Sequence, residues 1–487
     1  MILDTKQELK REELRVILVS LQSDAERVPP VGLVYVATYL QNKLKLPKKN
    51  IRVVDRNYFD VEKEVEKFNP DVIGIGAMTI NYPDAVDFAS KIKKRKDIPI
   101  ILGGVHISTL PASLKKCFDV GVIGEGEETI SELLSLYLKK RKFIKKDLKK
   151  IKSIVYFEGN EIRSTLLREP MKLDSLPLPD FKFAHPNYFK KIEVPGVGGT
   201  RINCYLISSR GCPYRCVFCS TSRFWGKMRL HSPEYTARII EKNVKEFGAN
   251  HIKILDDLFT ISAERVNLIK RELEKRNLLD KIKEMEGTVR ANLINDKLCR
   301  EIKNIKLNLV NFGFESGSDK VLKYLKAGTV SVEMNKKAIL LCKKYGIGVY
   351  GSLMYGSPGE SIEDMEKTNR FIDFCVKNKV DNLWSFVATP FPATPFWEIA
   401  LKKGKVSEDM NFKLLDHHYS GRPFLLDEKI STQEFRDVFF RGRKKLRKFK
   451  ISLIKNFLIK NPSNAIKLFL KEPRYYGSRV FKQILKQ

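Results

Sequence analysis

Two long stretches of this chain switch repeatedly between short Val- and Ile-rich runs and helix-length amphipathic segments. That alternation limits the possible folds more than any other feature of the sequence. In residues 15–141 the runs are "RVILVSL", "IRVVD", "DVIGIGAMT", "IPIILGG" and "DVGVIGEG". Short β-branched runs separated by helices imply parallel strands buried on both faces, because each crossover lays a helix on the sheet. The expectation is α/β: an N-terminal doubly wound, flavodoxin-like parallel sheet, with ligands at the carboxyl ends of its strands.

The rhythm breaks at 142–200, where "SIVYFEGNEIRS" reads as a hairpin and "LDSLPLPDF" as a Pro-punctuated connector. It resumes with "NCYLISS", "HIKILDD", "EGTVRAN", "LNLVNFGFES", "IGVYGSLMYG" and "NLWSFVATPF", with helical stretches such as 233–247, 262–277, 331–345 and 361–378 between most of them. Six such units close most of a barrel without completing eight, and barrel enzymes keep their chemistry in the loops after the strands. A 487-residue chain exceeds one ordinary core. The expected division is 1–145 sheet domain, 146–199 hairpin and linker, 200–400 partial (β/α)6 barrel, and 401–487 a mainly helical, basic C-terminal region.

The opening "MILDTKQELKREEL" is charged and lacks the apolar centre of a signal peptide, and no apolar run approaches the ~20 residues that cross a bilayer. A cytoplasmic chain is expected, in which thiols stay reduced. Against that background, "SSRGCPYRCVFCSTSRFW" places Cys212, Cys216 and Cys219 within eight residues. Structural free thiols, a disulfide, a zinc site completed by His231, and an iron–sulfur cluster are the alternatives. Thiolates are soft ligands that suit iron, and three on one loop leave the fourth iron of a cube open to a small molecule.

CxxxCxFC after the first strand of a barrel, with Phe218 before the last cysteine, resembles the radical S-adenosylmethionine (SAM) superfamily. The resemblance implies a [4Fe–4S] cluster on Cys212, Cys216 and Cys219 that binds and cleaves SAM. It further implies Asp256 or Asp257 of "ILDDLFT" near the SAM amino group, Arg290 of "VRAN" at its carboxylate, and Glu315 of "FGFESG" at the ribose or methionine moiety. The loops "YGSPGES" and "TPFPATP", the latter with Thr389, would flank the adenosine. A pocket for a cation, a carboxylate, a diol and an adenine wants acids, an Arg, acceptors and apolar walls. Each residue also has a plainer reading: Asp256 and Asp257 as caps of the following helix, Arg290 as a surface ion-pair partner, Glu315 as an N-cap acid.

The N-terminal sheet resembles the cobalamin (B12)-binding domain found in radical SAM proteins of this layout. The strand-end loops carry the likeness: Gly32 in "PPVGLVYVATYL", Asp55 and Asn57 in "VVDRN", Thr79 in "GIGAMTINYPDA", Gly103, Gly104 and His106 in "ILGGVHIST", and Gly124, Glu125 and Gly126 in "VIGEGEET". A flat corrin needs small residues for close backbone approach. The Asp-x-His-x-x-Gly stretch that supplies a cobalt ligand in many such domains does not occur; His106 is the nearest alternative, and its plainer reading is a hydrogen-bonding loop residue.

Together these resemblances imply a cobalamin-dependent radical SAM enzyme that functionalises an unactivated carbon, with C-methylation foremost. Radical cyclisation or rearrangement, and RNA modification, are the other readings. An electron donor such as flavodoxin or ferredoxin and a small-molecule or lipid substrate are the expected partners. The net charge is +32, and residues 441–487 carry fifteen Lys and Arg against one acid, Glu472. Cations interleaved with Leu, Ile and Phe imply either peripheral contact with the inner face of a membrane, and so a lipid or isoprenoid substrate, or a helix packed on the barrel. Nucleic acid is the less favoured partner, since no strand-rich C-terminal RNA-binding module is legible. The residue that quenches a substrate radical is unassigned.

Overall fold

The computed structural model describes residues 10–22, 28–193, 200–418, 423–426 and 429–460, without the side chains of 193 and 454–460. It divides into two compact units: Met1–Tyr188 with Ser220–His231 and Phe391–Leu415, and Phe189–Cys219 with Ser232–Pro390 and Asp416–Gln487.

The first unit is built on strands β1 (Val16–Ser20), β2 (Ile51–Asp55), β3 (Val72–Gly76), β4 (Ile100–Gly103), β5 (Val120–Val122), β6 (Ile154–Glu158) and β7 (Glu161–Ser164). Their order is β2-β1-β3-β4-β5-β6-β7, and the first five are parallel, as the alternating sequence requires. Val16 and Leu18 of β1 join one core with Val36 and Leu40 of α1 (Val31–Leu44) and Leu133 and Leu134 of α2 (Gly126–Lys140). Ile17 and Val19 point the other way and are equally buried, so both faces of the sheet are covered.

The hairpin at 154–164 is not a spacer between domains. β6 pairs antiparallel with β5 (Gly121 opposite Val155), and β7 pairs with β6. The added strands satisfy the N–H and C=O groups that β5 would otherwise leave open, and the polar, largely exposed β7 forms the new edge. The expected boundary at 145 therefore moves to Tyr188.

The second unit holds six parallel strands in sequential order: Asn203–Leu206, His251–Ile254, Glu284–Val289, Leu307–Glu315, Gly348–Tyr355 and Asn382–Val387. This is the partial barrel expected. The helices that follow the strands begin where the sequence offers caps. Ser232, Ser262, Asn295, Ser331 and Ser361 each accept the backbone N–H three residues on, opening Pro233–Phe247, Ala263–Lys275, Asp296–Asn304, Val332–Lys344 and Ile362–Lys377. Gly248 ends the first of them in the left-handed region at φ 67°.

The basic C-terminal helix, Thr432–Lys460, lies on Ile362–Lys377 over its first half. Phe435, Phe439, Leu446 and Phe449 are buried, Arg441 pairs with Glu366 at 2.6 Å, and Lys445 reaches Asp373 at 2.5 Å. The first half is thus the barrel-packing helix of the two readings above, and the tail past Lys460 lies outside the described residues. No helix among the described residues is long and apolar enough to cross a membrane.

Candidate functional site

In the second unit the chain leaves the first barrel strand, turns at Gly211 (φ 93°) and enters the cysteine loop. The loop is pinned at two points: Cys219 N–H donates to Cys216 O at 3.2 Å, and Val217 N–H to Leu325 O at 3.1 Å. Cys216 is buried, while Cys212, Phe218 and Cys219 are half-buried. Burial pushes the Cys212 thiol up, and the nearby thiols of Cys216 and Cys219 and the Asp257 carboxylate push it further, so all four groups share one neighbourhood. No three His, Cys, Asp or Glu side chains among the described residues are grouped so as to hold a metal ion. A cube does not need them to converge on one point, since each thiolate ligates a different iron. His231, the partner considered for zinc, is buried in the first unit and holds Asp174 at 2.9 Å through Nδ1.

The two aspartates after the second barrel strand have different surroundings. Asp256 is 4 % exposed and accepts from Ser208 N at 2.6 Å, Ser208 Oγ at 2.6 Å and Ser209 Oγ at 2.8 Å. Burial pushes its carboxyl up to about 6, against those hydrogen bonds and Arg265, which pull it down. Asp256 is therefore an anchor for the segment leading into the cysteine loop, whereas Asp257 is exposed and near Cys212. Neither caps the following helix, because Ser262 does.

Arg290 is buried and is not a surface ion-pair residue. Its guanidinium lies 3.8 Å from the centroid of the Tyr214 ring, Nη1 donates to Cys216 Sγ at 3.5 Å, and Nη2 donates to Thr329 Oγ1 at 2.6 Å. Its Nε is buried without a hydrogen-bond acceptor and is a donor open to a ligand. Glu315 sits at φ 63°, a strained position for a residue with a Cβ, and pairs with the buried Lys326 at 3.3 Å. The carboxylate folds back over Gly313, where a Cβ would lie 2.1 Å from Oε1, so a side chain there would displace the carboxylate. The cap of the next helix is Ser318, not Glu315. Thr389 is buried and donates its hydroxyl to Val387 O at 3.0 Å.

Sequence reasoning missed four residues here. Tyr214 stacks on Arg290, Thr329 anchors it, and Lys326 holds Glu315. Glu360 ties the fifth-strand loop by accepting from Gly356 N at 2.7 Å and Ser357 N at 2.9 Å, and burial pushes its carboxyl up to about 8. Only Tyr214, lying inside the CxxxC spacing, carried a visible signal.

In the first unit the strand-end residues fall into two groups. Asp55, Asn57, Thr79 and His106 are tied into the protein. Asp55 accepts from Asn57 N at 3.0 Å and Tyr188 OH at 2.8 Å, and Asn57 Nδ2 donates to Tyr188 at 3.0 Å. His106 is fully buried, with Nε2 3.0 Å from Ser113 Oγ and Nδ1 3.4 Å from Thr79 Oγ1. Its ring stacks on Tyr82 at 3.9 Å, with Phe412 at 4.6 Å meeting it edge to face. Burial pushes its pKa down to about 3, so it is a neutral core histidine hydrogen-bonded within the fold.

Gly104 is also fixed by the fold: at φ 98° its Cβ would lie 2.6 Å from Ala77 O, so the backbone packing itself requires glycine. The second group borders open space. Gly32 and Gly124 have nothing within 4 Å of a Cβ position, Gly103 has only Ile75 O at 3.9 Å, and Gly126 only a Val36 methyl at 3.7 Å. Gly124 and Glu125 line a cavity of about 440 Å³ with Ser108, Arg168, Trp225 and Arg229. Glu125 is not left over for a ligand: Arg229 grips both its oxygens at 2.9 and 3.1 Å, and Met171 N–H donates to it at 3.1 Å. The open glycines and the cavity are compatible with a large planar group.

Residues 206–372 match the radical SAM superfamily and residues 14–134 match the B12 binding domain. An uncharacterized methyltransferase, PH0819, of Pyrococcus horikoshii is 30% identical over 81% of this chain and 84% of its own. The bacteriochlorophyllide d C-8(2)-methyltransferase of Chlorobaculum tepidum is 25% identical over 80% of each chain. Among solved structures, the radical SAM methyltransferase TsrM of Kitasatospora setae shares the fold at a TM-score of 0.64 and 18% identity, covering 80% of this chain and 76% of its own. A three-cysteine loop heading a partial barrel, behind a doubly wound sheet, is the build of a radical SAM enzyme, and this chain belongs to that superfamily. Its B12-binding domain sets it among the cobalamin-dependent members, which work with a [4Fe–4S] cluster, SAM and cobalamin.

Proposed function

We propose that this protein transfers a methyl group from SAM, by way of cobalamin, to an unactivated carbon of a small molecule. The observation that carries the reading is the neighbourhood of Cys212, Cys216, Cys219 and Asp257, with Arg290 against Cys216, in a chain that also bears a B12-binding domain. When bound, the cofactors supply reductive cleavage of SAM and a transferable methyl group. The chain's residues bind and orient them. The three thiols would hold three irons and leave one open. Asp257 would meet the SAM ammonium, and Arg290, whose Nε has no acceptor, its carboxylate. Glu315, held by Lys326, would accept from the ribose or methionine moiety. Gly124 and the cavity beside it would take part of the cobalamin.

The test is anaerobic reconstitution with iron and sulfide, then assay with SAM and reductant for 5′-deoxyadenosine and S-adenosylhomocysteine. Both products are expected. 5′-Deoxyadenosine alone would replace methyl transfer with cyclisation or rearrangement, and neither would end the reading.

A lipid or isoprenoid substrate is the finer form of the proposal, supported by the cation-rich, apolar sequence of residues 461–487. The intact chain should co-sediment with anionic liposomes and a chain ending at 460 should not. Equal partitioning would remove the lipid substrate. The cut belongs at 460 because one near 440 would also remove Leu446 and Phe449 from the barrel.

A further inference from the structure

We infer that Arg290 is a positioning residue for the cluster itself: through Cys216 it raises the cluster's reduction potential, and Tyr214 and Thr329 hold it there for that purpose. The inference rests on the cluster reading above. Three contacts fix the guanidinium. The Tyr214 ring lies under its face at 3.8 Å, Thr329 Oγ1 takes Nη2 at 2.6 Å, and Nη1 points at Cys216 Sγ at 3.5 Å. Tyr214 sits inside the loop, between Cys212 and Cys216, and its own hydroxyl accepts from Asn292 Nδ2 at 3.0 Å. The loop therefore carries the platform that orients the arginine, and the arginine returns a charge-assisted hydrogen bond to the loop's most buried thiol.

Thr329 is in turn tied to the strand-end glutamate. Its hydroxyl donates to Lys326 O at 2.6 Å, and Lys326 Nζ donates to Gly313 O at 2.6 Å and pairs with Glu315. One chain of contacts thus runs from Cys216 to Glu315.

A residue whose only task was to clamp a substrate carboxylate would direct its paired donors outward. Here each Nη gives a hydrogen bond to a partner inside the protein, Cys216 and Thr329, and Nε is buried without an acceptor. A cation donating to a ligating sulfur offsets the extra negative charge of the reduced cluster, so it favours reduction. The effect is large where water is excluded, and Arg290 and Cys216 are 8 % and 9 % exposed.

The experiment is a potentiometric titration of the reconstituted full-length protein without SAM, following the signal of the reduced cluster. In Arg290→Met the ratio of reduced to oxidised cluster at a fixed potential should fall about tenfold, equivalent to ~59 mV for a one-electron couple. Arg290→Lys, which keeps the charge and loses the fork, should recover part of that shift. A purely structural role would not distinguish the two. Thr329→Val should move the ratio the same way by about threefold, and it decides the matter if Arg290→Met fails to retain its cluster. Ratios within twofold of wild type in cluster-loaded Arg290→Met, or in Thr329→Val where that variant decides, overturn the inference. A wild-type protein that assembles no [4Fe–4S] cluster overturns the functional reading instead, so the two failures are separable.

Discussion

Cys216→Ala is expected to lose its iron and all formation of 5′-deoxyadenosine while keeping its fold. Of the three loop thiols, Cys216 is the buried one and the one that Arg290 faces. Its removal leaves two protein ligands for a cube that needs three, and it leaves a buried guanidinium donor without its acceptor. Iron after anaerobic reconstitution should drop from about four per chain to near zero. The far-ultraviolet circular dichroism should not change, because the bonds that pin the loop are made by backbone groups, Cys219 N to Cys216 O and Val217 N to Leu325 O. Iron and sulfide retained at wild-type levels in the variant, or zinc in the anaerobically prepared wild type, would sink the cluster assignment.

The second large effect is on stability. Asp256→Ala should destabilise the barrel unit by about 3 kcal/mol, read as a shift of the urea midpoint of the apoprotein. The alanine leaves one buried backbone N–H and two serine hydroxyls without their acceptor, and Arg265, which also donates to Ser208 O at 3.2 Å, without its counter-charge. The same carboxyl gives a pH dependence of defined sign. Burial is the main cause of its rise to about 6, so the folded protein binds this proton more tightly than the unfolded chain does. Its stabilising share is full below the ordinary carboxylate pKa of about 4, and is lost as pH rises through about 6. Between pH 5 and pH 7.5 the wild type should therefore lose about 1 kcal/mol relative to Asp256→Asn, which has no proton to lose. A difference between the two that stays flat over that range would show that the carboxyl titrates normally.

The fold was legible because it is written locally. The buried β1 reads as an unbroken apolar run, and a Ser or Asn stands at the start of each cap-initiated barrel helix. What escaped depends on residues far apart in the chain. Nothing near "DRNYFD" announces Tyr188, and nothing near "GGVH" announces Phe412, yet these partners turn Asp55 and His106 inward. Asp256 and Asp257 are the same residue type side by side, and only Ser208 and Ser209 on the neighbouring segment decide which is enclosed. Arg290 could be placed at a strand end from the sequence, but not over Tyr214, since that contact exists only once the cysteine loop has folded. The hairpin was recognised as a hairpin; that it would extend the sheet depends on an edge no local pattern describes.

The bookkeeping of the two units has a practical result. The polypeptide crosses from one to the other five times, lending Ser220–His231 and Phe391–Leu415 to the sheet unit from within the sequence of the barrel. No single cut can therefore release either half whole. A fragment starting at Phe189 would carry Phe412 and Trp397 with their natural surroundings gone, and one ending at Tyr188 would lack the aromatic ring that seals His106. Gene dissection aimed at purifying the corrin-type half alone should graft both borrowed pieces back, or expect an aggregating product.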